Sequence, residues 1–381
     1  MSTTDAPRAP FPGHPGAARR VSDRLPDFPW DRLDPYRATA LKHPDGLCDF
    51  SVGTPVDPVP ELIQRALAGA TDTPGYPTVW GPLALREPIA GWLNRRAGAE
   101  IGPESVLPTV GSKELVAWLP GQLGLGPGDQ VAYPHLAYPT YEVGARLCGA
   151  EPVAYQELDE LDGSRVRLLW LNSPGNPTGR VRTAEELREA VAWARAHRVL
   201  LVSDECYLEL GWEAEPVSVL RADVCGGSHE GLLAVHSLSK RSNLAGYRAA
   251  FVAGDPVVVR ELLEVRKHSG MIVPAPVQAA TAAALGDDAH VAEQRERYAA
   301  RRAALREALL GAGFRIEHSE ASLYLWATRD EPCWDTVAWL AERGILAAPG
   351  DFYGPAGDRH VRVAFTATDE RVASAVARLA G

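Results

Sequence analysis

Lysine is scarce in this chain. Of its 39 basic residues only Lys42, Lys113, Lys240 and Lys267 are Lys, and the other 35 are Arg. A protein that uses Arg for nearly every positive charge keeps Lys where an amine able to lose its proton is wanted, because Lys forms Schiff bases and Arg does not. Cysteine is also sparse. The five Cys (48, 148, 206, 225 and 333) show no CxxC spacing, which excludes a disulfide framework or a zinc site as the organising feature and suits a reduced cytoplasm. No basic run exceeds a short Arg pair and the formal charge is -10, which argues against a nucleic-acid or anionic-membrane partner. No apolar stretch approaches the roughly 18 residues of a spanning helix, and no apolar segment follows the charges at the amino end. The expectation is a soluble, cytoplasmic protein acting on small molecules.

What is present centres on HSLSKRSNLAGYR, 236–248, and on Lys240 within it. It follows the apolar run 232–235 and is crowded by Ser237, Ser239 and Ser242. A buried strand that ends in hydroxyls and one Lys delivers an amine and phosphate-binding donors to its carboxyl end, where open α/β sheets keep their ligands.

At 381 residues the chain is long enough for two cores. Residues 1–20 are Pro, Ala and Arg without periodicity, the composition of a disordered leader. Helical spacing is expected around 31–42, over 60–70, 83–98, 141–148, 184–197 and 257–268, and as one surface helix over 289–312. Strands are expected at 130–133, 152–155, 166–171, 199–203, 232–235 and 249–253. This alternation is that of a mostly parallel sheet covered on both faces, so the fold class is α/β. The chain beyond 312 mixes strand and helix in a smaller α+β unit. The division expected is a large domain over 46–270 and a small one built from 21–45 with 271–381.

Three middle strands end in complementary groups. The first runs into NSPGNPTG with Asn172 and Asn176, the second into SDECY with Asp204 and Tyr207, and the third into HSLSK. In a parallel sheet all three ends lie along one edge, so an amide, a carboxylate, a phenol and an amine meet in one cleft. Read singly, Asn176 is a turn former before Pro177, Asp204 a helix cap and Tyr207 a packing aromatic. Those readings leave the ordering unexplained. Gly111 and Ser112, before the apolar helical stretch SKELVAWL, expose backbone N–H groups that suit an anion, or form an ordinary helix cap.

NPTG at 176–179, SDECY at 203–207, SLSK at 237–240, Gly246 with Arg248 and HVRVAF at 360–365 together resemble the fold type I pyridoxal-phosphate aminotransferases, over nearly everything after residue 21. The resemblance implies pyridoxal 5′-phosphate as cofactor, with Lys240 holding it covalently and later moving the substrate α-proton. It implies Asp204 at the pyridinium nitrogen and Asn176 and Tyr207 at the ring oxygen. Ser112, Lys113, Ser237, Ser239 and Arg248 are implied around the phosphate, and Tyr138 of AYPTY on the ring face. Arg362, with Gly53 and Asn176, takes the substrate α-carboxylate, with Arg359 as the competing residue. Tyr76 resembles the tyrosine that reaches the cofactor phosphate of the other subunit, so a homodimer is expected.

The fuller pattern, including VSDRLPDFPWD, SVGTPVDPVP and APGDFYGPAG, resembles actinobacterial proteins assigned as N-succinyldiaminopimelate aminotransferases of lysine biosynthesis, with glutamate as amino donor. Lys267, Lys113, Trp80 and Tyr324 are candidates for the distal carboxylate. The alternatives are an aminotransferase with an aspartate-type or aromatic acceptor, and a carbon–sulfur β-lyase. A cofactor-binding regulator is disfavoured because it needs an added helix-turn-helix and a basic surface.

Overall fold

Alternating apolar strands and helices build a seven-stranded sheet in the computed structural model, which describes residues 21–381. The leader expected over 1–20 lies outside the described residues. In chain order the first strands are β1 (Cys48–Asp49), β2 (Val106–Val110), β3 (Gln130–Pro134), β4 (Glu151–Tyr155), β5 (Val166–Asn172), β6 (Leu200–Asp204), β7 (Leu232–Ser237) and β8 (Ala249–Gly254). The large sheet has the order β2-β8-β7-β6-β5-β3-β4. All its ladders are parallel except those that β8 makes with β7 and β2. The expected mostly parallel sheet is therefore present. Its register pairs Asn172 with Asp204 and Asp204 with Val235, which brings the polar ends of β5, β6 and β7 side by side.

Both faces are covered because the strands are apolar on both sides; β7 and β8 are buried at every position. The helix Ala184–His197 shows how local sequence sets such a cover. Thr183 and Glu186 form a reciprocal capping box at its start, and Arg198, at φ 56°, ends it in the left-handed region.

A second, antiparallel sheet contains β9 (Arg315–Glu317), β10 (Tyr324–Thr328), β12 (Ala348–Pro349) and β13 (Val361–Ala364), in the order β12-β13-β10-β9. The strand β11 (Ile345–Leu346) pairs in parallel with β1, tying residues near 48 to this unit. Among the described residues no helix is long and apolar enough to cross a membrane.

Three local features depart from expectation, and the expected surface helix is present with one face buried. The strand β2 is an addition, because Pro108 in VLPTV argues against a central strand; β2 lies at the sheet edge, where a missing N–H is tolerated. The helix Ala275–Leu285 is another. It is nearly all Ala and apolar and packs between the helices Glu61–Gly69 and Leu83–Trp92, so it has no polar stripe to reveal a period. The expected surface helix 289–312 is Ala289–Gly311, and it buries Tyr298, Arg301, Arg302, Leu305 and Leu309 along one face. The helix expected over 31–42 is a 3-10 turn, Pro29–Leu33, followed by Asp34–Ala40.

Candidate active site

Lys240 lies in a one-turn helix, Leu238–Arg241, that directly follows β7. Ser237 starts it: its hydroxyl accepts from Ser239 N at 3.2 Å and donates to Ser239 Oγ at 2.9 Å. The amine crosses to the Gly53 carbonyl oxygen, to which Nζ donates. Burial lowers the amine's pKa, with Arg362 and Arg248 pushing the same way against the opposing influence of Tyr324 and Cys206. A side chain at residue 53 is excluded, since a Cβ there would stand 2.7 Å from the Tyr324 hydroxyl.

Asp204 ends β6 and is buried. Its carboxylate accepts from Tyr141 OH at 2.8 Å and from Cys206 N at 3.2 Å. Burial still raises its pKa, because these neutral donors replace only part of the lost hydration. Such a carboxylate favours a cationic partner. The Cys206 thiol lies beside it, in reach of Ser112 and Lys240, and burial holds the thiol well above its usual range.

The turn after β5 is held by Asn172, whose Oδ1 accepts from Asn176 N at 2.8 Å and whose Nδ2 donates to Asp204 O at 2.9 Å. Asn176 Oδ1 in turn accepts from Arg362 Nη1 at 2.8 Å, while Arg362 Nη2 donates to Ser51 O at 2.8 Å. The guanidinium carbon is 4.0 Å from the Tyr324 ring centre and 4.8 Å from that of Tyr353. Its Nε is buried without a hydrogen-bond partner. Tyr207 OH and Tyr324 OH lie 2.8 Å apart.

The sheet register assembles a second cluster. Ser237 faces Ala250 and Val110 faces Ala249, so the residues next to them, Gly111 and Arg248, meet at one corner. Gly111, at φ 77°, precedes the helix Ser112–Gln122. At that φ an L side chain is strained, and a Cβ would lie 2.6 Å from Arg248 Cζ, so glycine both suits the backbone and lets the guanidinium sit beside the helix start. Free amides at a helix N-terminus, two serine hydroxyls and an Arg form the donor set of a phosphate site. With the amine and the desolvated carboxylate, these residues fit pyridoxal phosphate.

Tyr138 lies edge-on to Tyr141, with ring centres 6.1 Å apart, and Lys113 Nζ is 5.9 Å from its ring centre. Lys240, Asp204, Tyr207, Asn176, Arg362 and Gly53 are thus linked through direct contacts or shared partners. Tyr76 is not part of that constellation and is 99 % exposed. Lys267 is a correction: it sits in the last turn of Pro256–Ser269, exposed and paired with Glu264 at 2.7 Å, because its i,i+3 neighbour is a carboxylate. Trp80 donates to Val106 O at 3.0 Å and stacks under Arg86, a packing role. Arg359 is exposed and donates to Asp330 O, which leaves Arg362 as the buried cation of that strand. Sequence reasoning missed Tyr141, Cys206 and Tyr353. The second tyrosine of AYPTY and the residue just before Tyr207 in SDECY carried a signal by position; Tyr353 carried none.

Residues 46–379 match the family described as aminotransferase class I and II. The 4-dedimethylamino-4-oxo-anhydrotetracycline transaminase OxyQ of Streptomyces rimosus is 61 % identical over 355 residues, covering 93 % of this chain and 99 % of that protein. The probable aminotransferase Rv1178 of Mycobacterium tuberculosis is 63 % identical over 360 residues, covering 94 % of this chain and 86 % of that protein. Among solved structures, a probable N-succinyldiaminopimelate aminotransferase from Thermus thermophilus matches with TM-score 0.83 and 29 % identity, covering 92 % of this chain and 99 % of that one.

Proposed function

The chain belongs to the class I and II aminotransferases, a pyridoxal-phosphate-dependent family, and we propose that it moves the amino group of glutamate to N-succinyl-2-amino-6-oxopimelate, a step of lysine biosynthesis. The observation that carries the amino-acid part of this reading is Arg362. Both its terminal nitrogens are fixed by Asn176 and Ser51, and its buried Nε has no partner. A carboxylate satisfies that donor and the charge together.

When bound, the cofactor supplies an aldehyde that joins amines and a ring that draws electrons from the substrate α-carbon. Lys240 would hold it and then, displaced by the incoming amine, would take the proton from the substrate α-carbon on Nζ and deliver it to the carbon that had carried the aldehyde, since returning it to the α-carbon would leave the amino group where it was. Its lowered pKa keeps a larger share of the amine neutral for that task. Asp204 balances the positive ring nitrogen; at about 4 Å and an effective dielectric near 20 such a pair is worth about 4 kcal/mol before desolvation. Asn176 and Tyr207 hold the ring oxygen, and Tyr138 covers a ring face. Ser112, Lys113, Ser237, Ser239 and Arg248 hold the phosphate. Arg362, with Asn176 and the Gly53 segment, orients the α-carboxylate so that the α-hydrogen faces Lys240. Tyr76, exposed in the single chain, is free to meet the phosphate of a second copy in the expected homodimer.

A second reading of the acceptor has its own support. OxyQ, by its name, acts on an oxo-anhydrotetracycline, and the identity of 61 % extends over 99 % of its length. Both readings share the glutamate half-reaction and differ only in the acceptor, which a few pocket contacts select.

The test is an acceptor panel scored by kcat/KM with glutamate as donor, including the succinylated oxopimelate, oxaloacetate, phenylpyruvate and a 4-oxo-anhydrotetracycline. The lysine-pathway reading is dropped if the succinylated acid does no better than oxaloacetate or phenylpyruvate. The purified protein is expected to be yellow and to be bleached by glutamate, and Lys240→Ala is expected to abolish turnover. Pyruvate and ammonia released from cysteine-type substrates would indicate the β-lyase instead.

A further inference from the structure

Tyr353 ends the 3-10 turn Gly350–Tyr353, and its side chain and that of Phe352 pack against different rings. Phe352 packs between Trp30 near the amino end and Trp334 of the helix Cys333–Glu342, with ring centres 5.3 Å and 5.8 Å away. Tyr353 turns inward. It is 3 % exposed, its ring lies edge-on to Trp326 at 6.2 Å, and the Arg362 guanidinium carbon is 4.8 Å from the ring centre. The backbone is fixed as well, since Tyr353 O accepts from Ala137 N at 2.8 Å, one residue before Tyr138.

The hydroxyl at the end of this fixed ring has no hydrogen-bond partner although it is buried. Of the other three phenols around Arg362, Tyr207 and Tyr324 satisfy each other at 2.8 Å and Tyr138 hydrogen-bonds with Thr140. Leaving a buried hydroxyl unsatisfied is costly. Two unsatisfied polar groups of the same buried cluster are both donors, Tyr353 OH and Arg362 Nε. Burial pushes the phenol's pKa up, so it keeps its proton over the working range, although Arg362 pulls the other way. A pair of donors, one of them cationic, calls for an anionic oxygen pair.

We propose that Tyr353 is a substrate-binding residue whose hydroxyl donates, beside Arg362 Nε, to the carboxylate of the amino-acid donor. The proposal rests on the assignment of Arg362 to that carboxylate and adds a second, neutral donor to it. Tyr353 then selects carboxylate-bearing amines over plain amines without adding charge to the pocket.

The experiment compares the wild-type holoenzyme with Tyr353→Phe, which keeps the ring and removes only the hydroxyl. The probe is 2-methylglutamate, which has no α-hydrogen and so binds without proton transfer to Lys240; its Kd is read from the cofactor absorbance. The expected rise in Kd is about tenfold, equivalent to about 1.4 kcal/mol, with the Kd of n-propylamine unchanged. The Tm of the unliganded holoenzyme is expected to hold or rise, because the lost hydroxyl bonds to nothing in the fold. For glutamate the loss is expected in KM more than in kcat. A variant that binds 2-methylglutamate within twofold of wild type overturns the proposal, as does a Tm lowered by several degrees, which would mean that the hydroxyl serves the fold. Wild-type protein that does not bind 2-methylglutamate overturns the Arg362 assignment itself, and this inference with it.

Discussion

Arg362 Nη1 donates to Asn176 Oδ1 at 2.8 Å, and this one hydrogen bond joins β13 of the small sheet to the turn that follows β5 of the large one. The proposed carboxylate site therefore belongs to neither sheet alone. Its geometry depends on how the two units meet, and on the Ser51 carbonyl that receives the other end of the same guanidinium.

Arg362→Lys tests the fork. A lysine ammonium keeps the charge but cannot bind Asn176 Oδ1 and Ser51 O and also present a planar donor edge to a carboxylate. The kcat/KM for glutamate is expected to fall about a hundredfold, which corresponds to about 2.7 kcal/mol of lost transition-state stabilisation. Steady-state kinetics with glutamate provide the check; a loss under fivefold refutes the assignment.

Asp204→Asn separates the two states of its site. With cofactor bound, the variant is expected to retain the cofactor and lose at least about a hundredfold in kcat, since an amide does not balance a cationic ring nitrogen. Without cofactor the sign reverses. Burial raises the folded carboxyl's pKa, so its contribution to stability is fully present below the unfolded value and is lost as pH rises through the folded one. At pH 8 the cofactor-free variant is therefore expected to melt above the cofactor-free wild type. Scanning calorimetry of both forms at pH 5 and pH 8 measures this.

Glu205→Gln tests a buried pair behind the site. Glu205 Oε2 and His236 Nε2 are 3.4 Å apart, and burial drives both toward neutrality, the carboxyl up to about 7 and the imidazole down to about 3. The protonated Glu205 contributes stability that is complete below pH 4.5 and is lost up to about pH 7; the neutral His236 contributes stability that is complete above pH 6.5 and is lost as pH falls toward 3. The two slopes oppose each other between pH 4.5 and 6.5. In Glu205→Gln the His236 slope stands alone, and unfolding free energy is expected to gain about 1.4 kcal/mol per pH unit relative to wild type across that window. Urea titrations at three pH values measure the difference; parallel profiles contradict it.

Arg301→Gln tests an anchor remote from the chemistry. Arg301 grips Asp57 with two hydrogen bonds, both 2.7 Å, and Gln294 adds a third at 2.7 Å. Asp57 closes the segment whose Ser51 and Gly53 carbonyls hold Arg362 and Lys240. Removing one partner of a buried pair costs about 3–5 kcal/mol, so a fall in stability of that order is expected in urea unfolding, together with a raised KM for glutamate. Asp57→Asn in the Arg301→Gln background is expected to cost far less than Asp57→Asn alone, because the two residues act as a unit.

The proposed cofactor end of the site is legible in the sequence because its residues sit at strand ends in a fixed order. Asn176, Asp204 and Lys240 each follow an apolar run that could only be a buried strand, and a parallel sheet places such ends on one edge whatever the loops do. The same logic fails for β2, where Pro108 masks a strand that only its edge position permits. It fails again for Ala275–Leu285, where burial on all sides erases the helical period. Lys267 draws attention by rarity, yet a neighbouring Glu264 one turn away suffices to hold it at the surface.

The sequence by itself named the groups of the proposed chemistry: a rare amine, a carboxylate and a proposed phosphate cradle tied to local motifs a few residues long, whose placement follows from strand direction and helix starts. On the proposed substrate side the family resemblance named Arg362, Asn176 and Gly53, and only the tertiary structure showed how they are joined. Arg362 meets Asn176 across 186 positions of chain, Arg301 meets Asp57 across 244, and Tyr353 packs against Trp326 and Arg362 while Phe352 is taken up by Trp30 and Trp334. Contacts between residues so far apart depend on how two packed units fit together, and no local spacing or propensity encodes that fit.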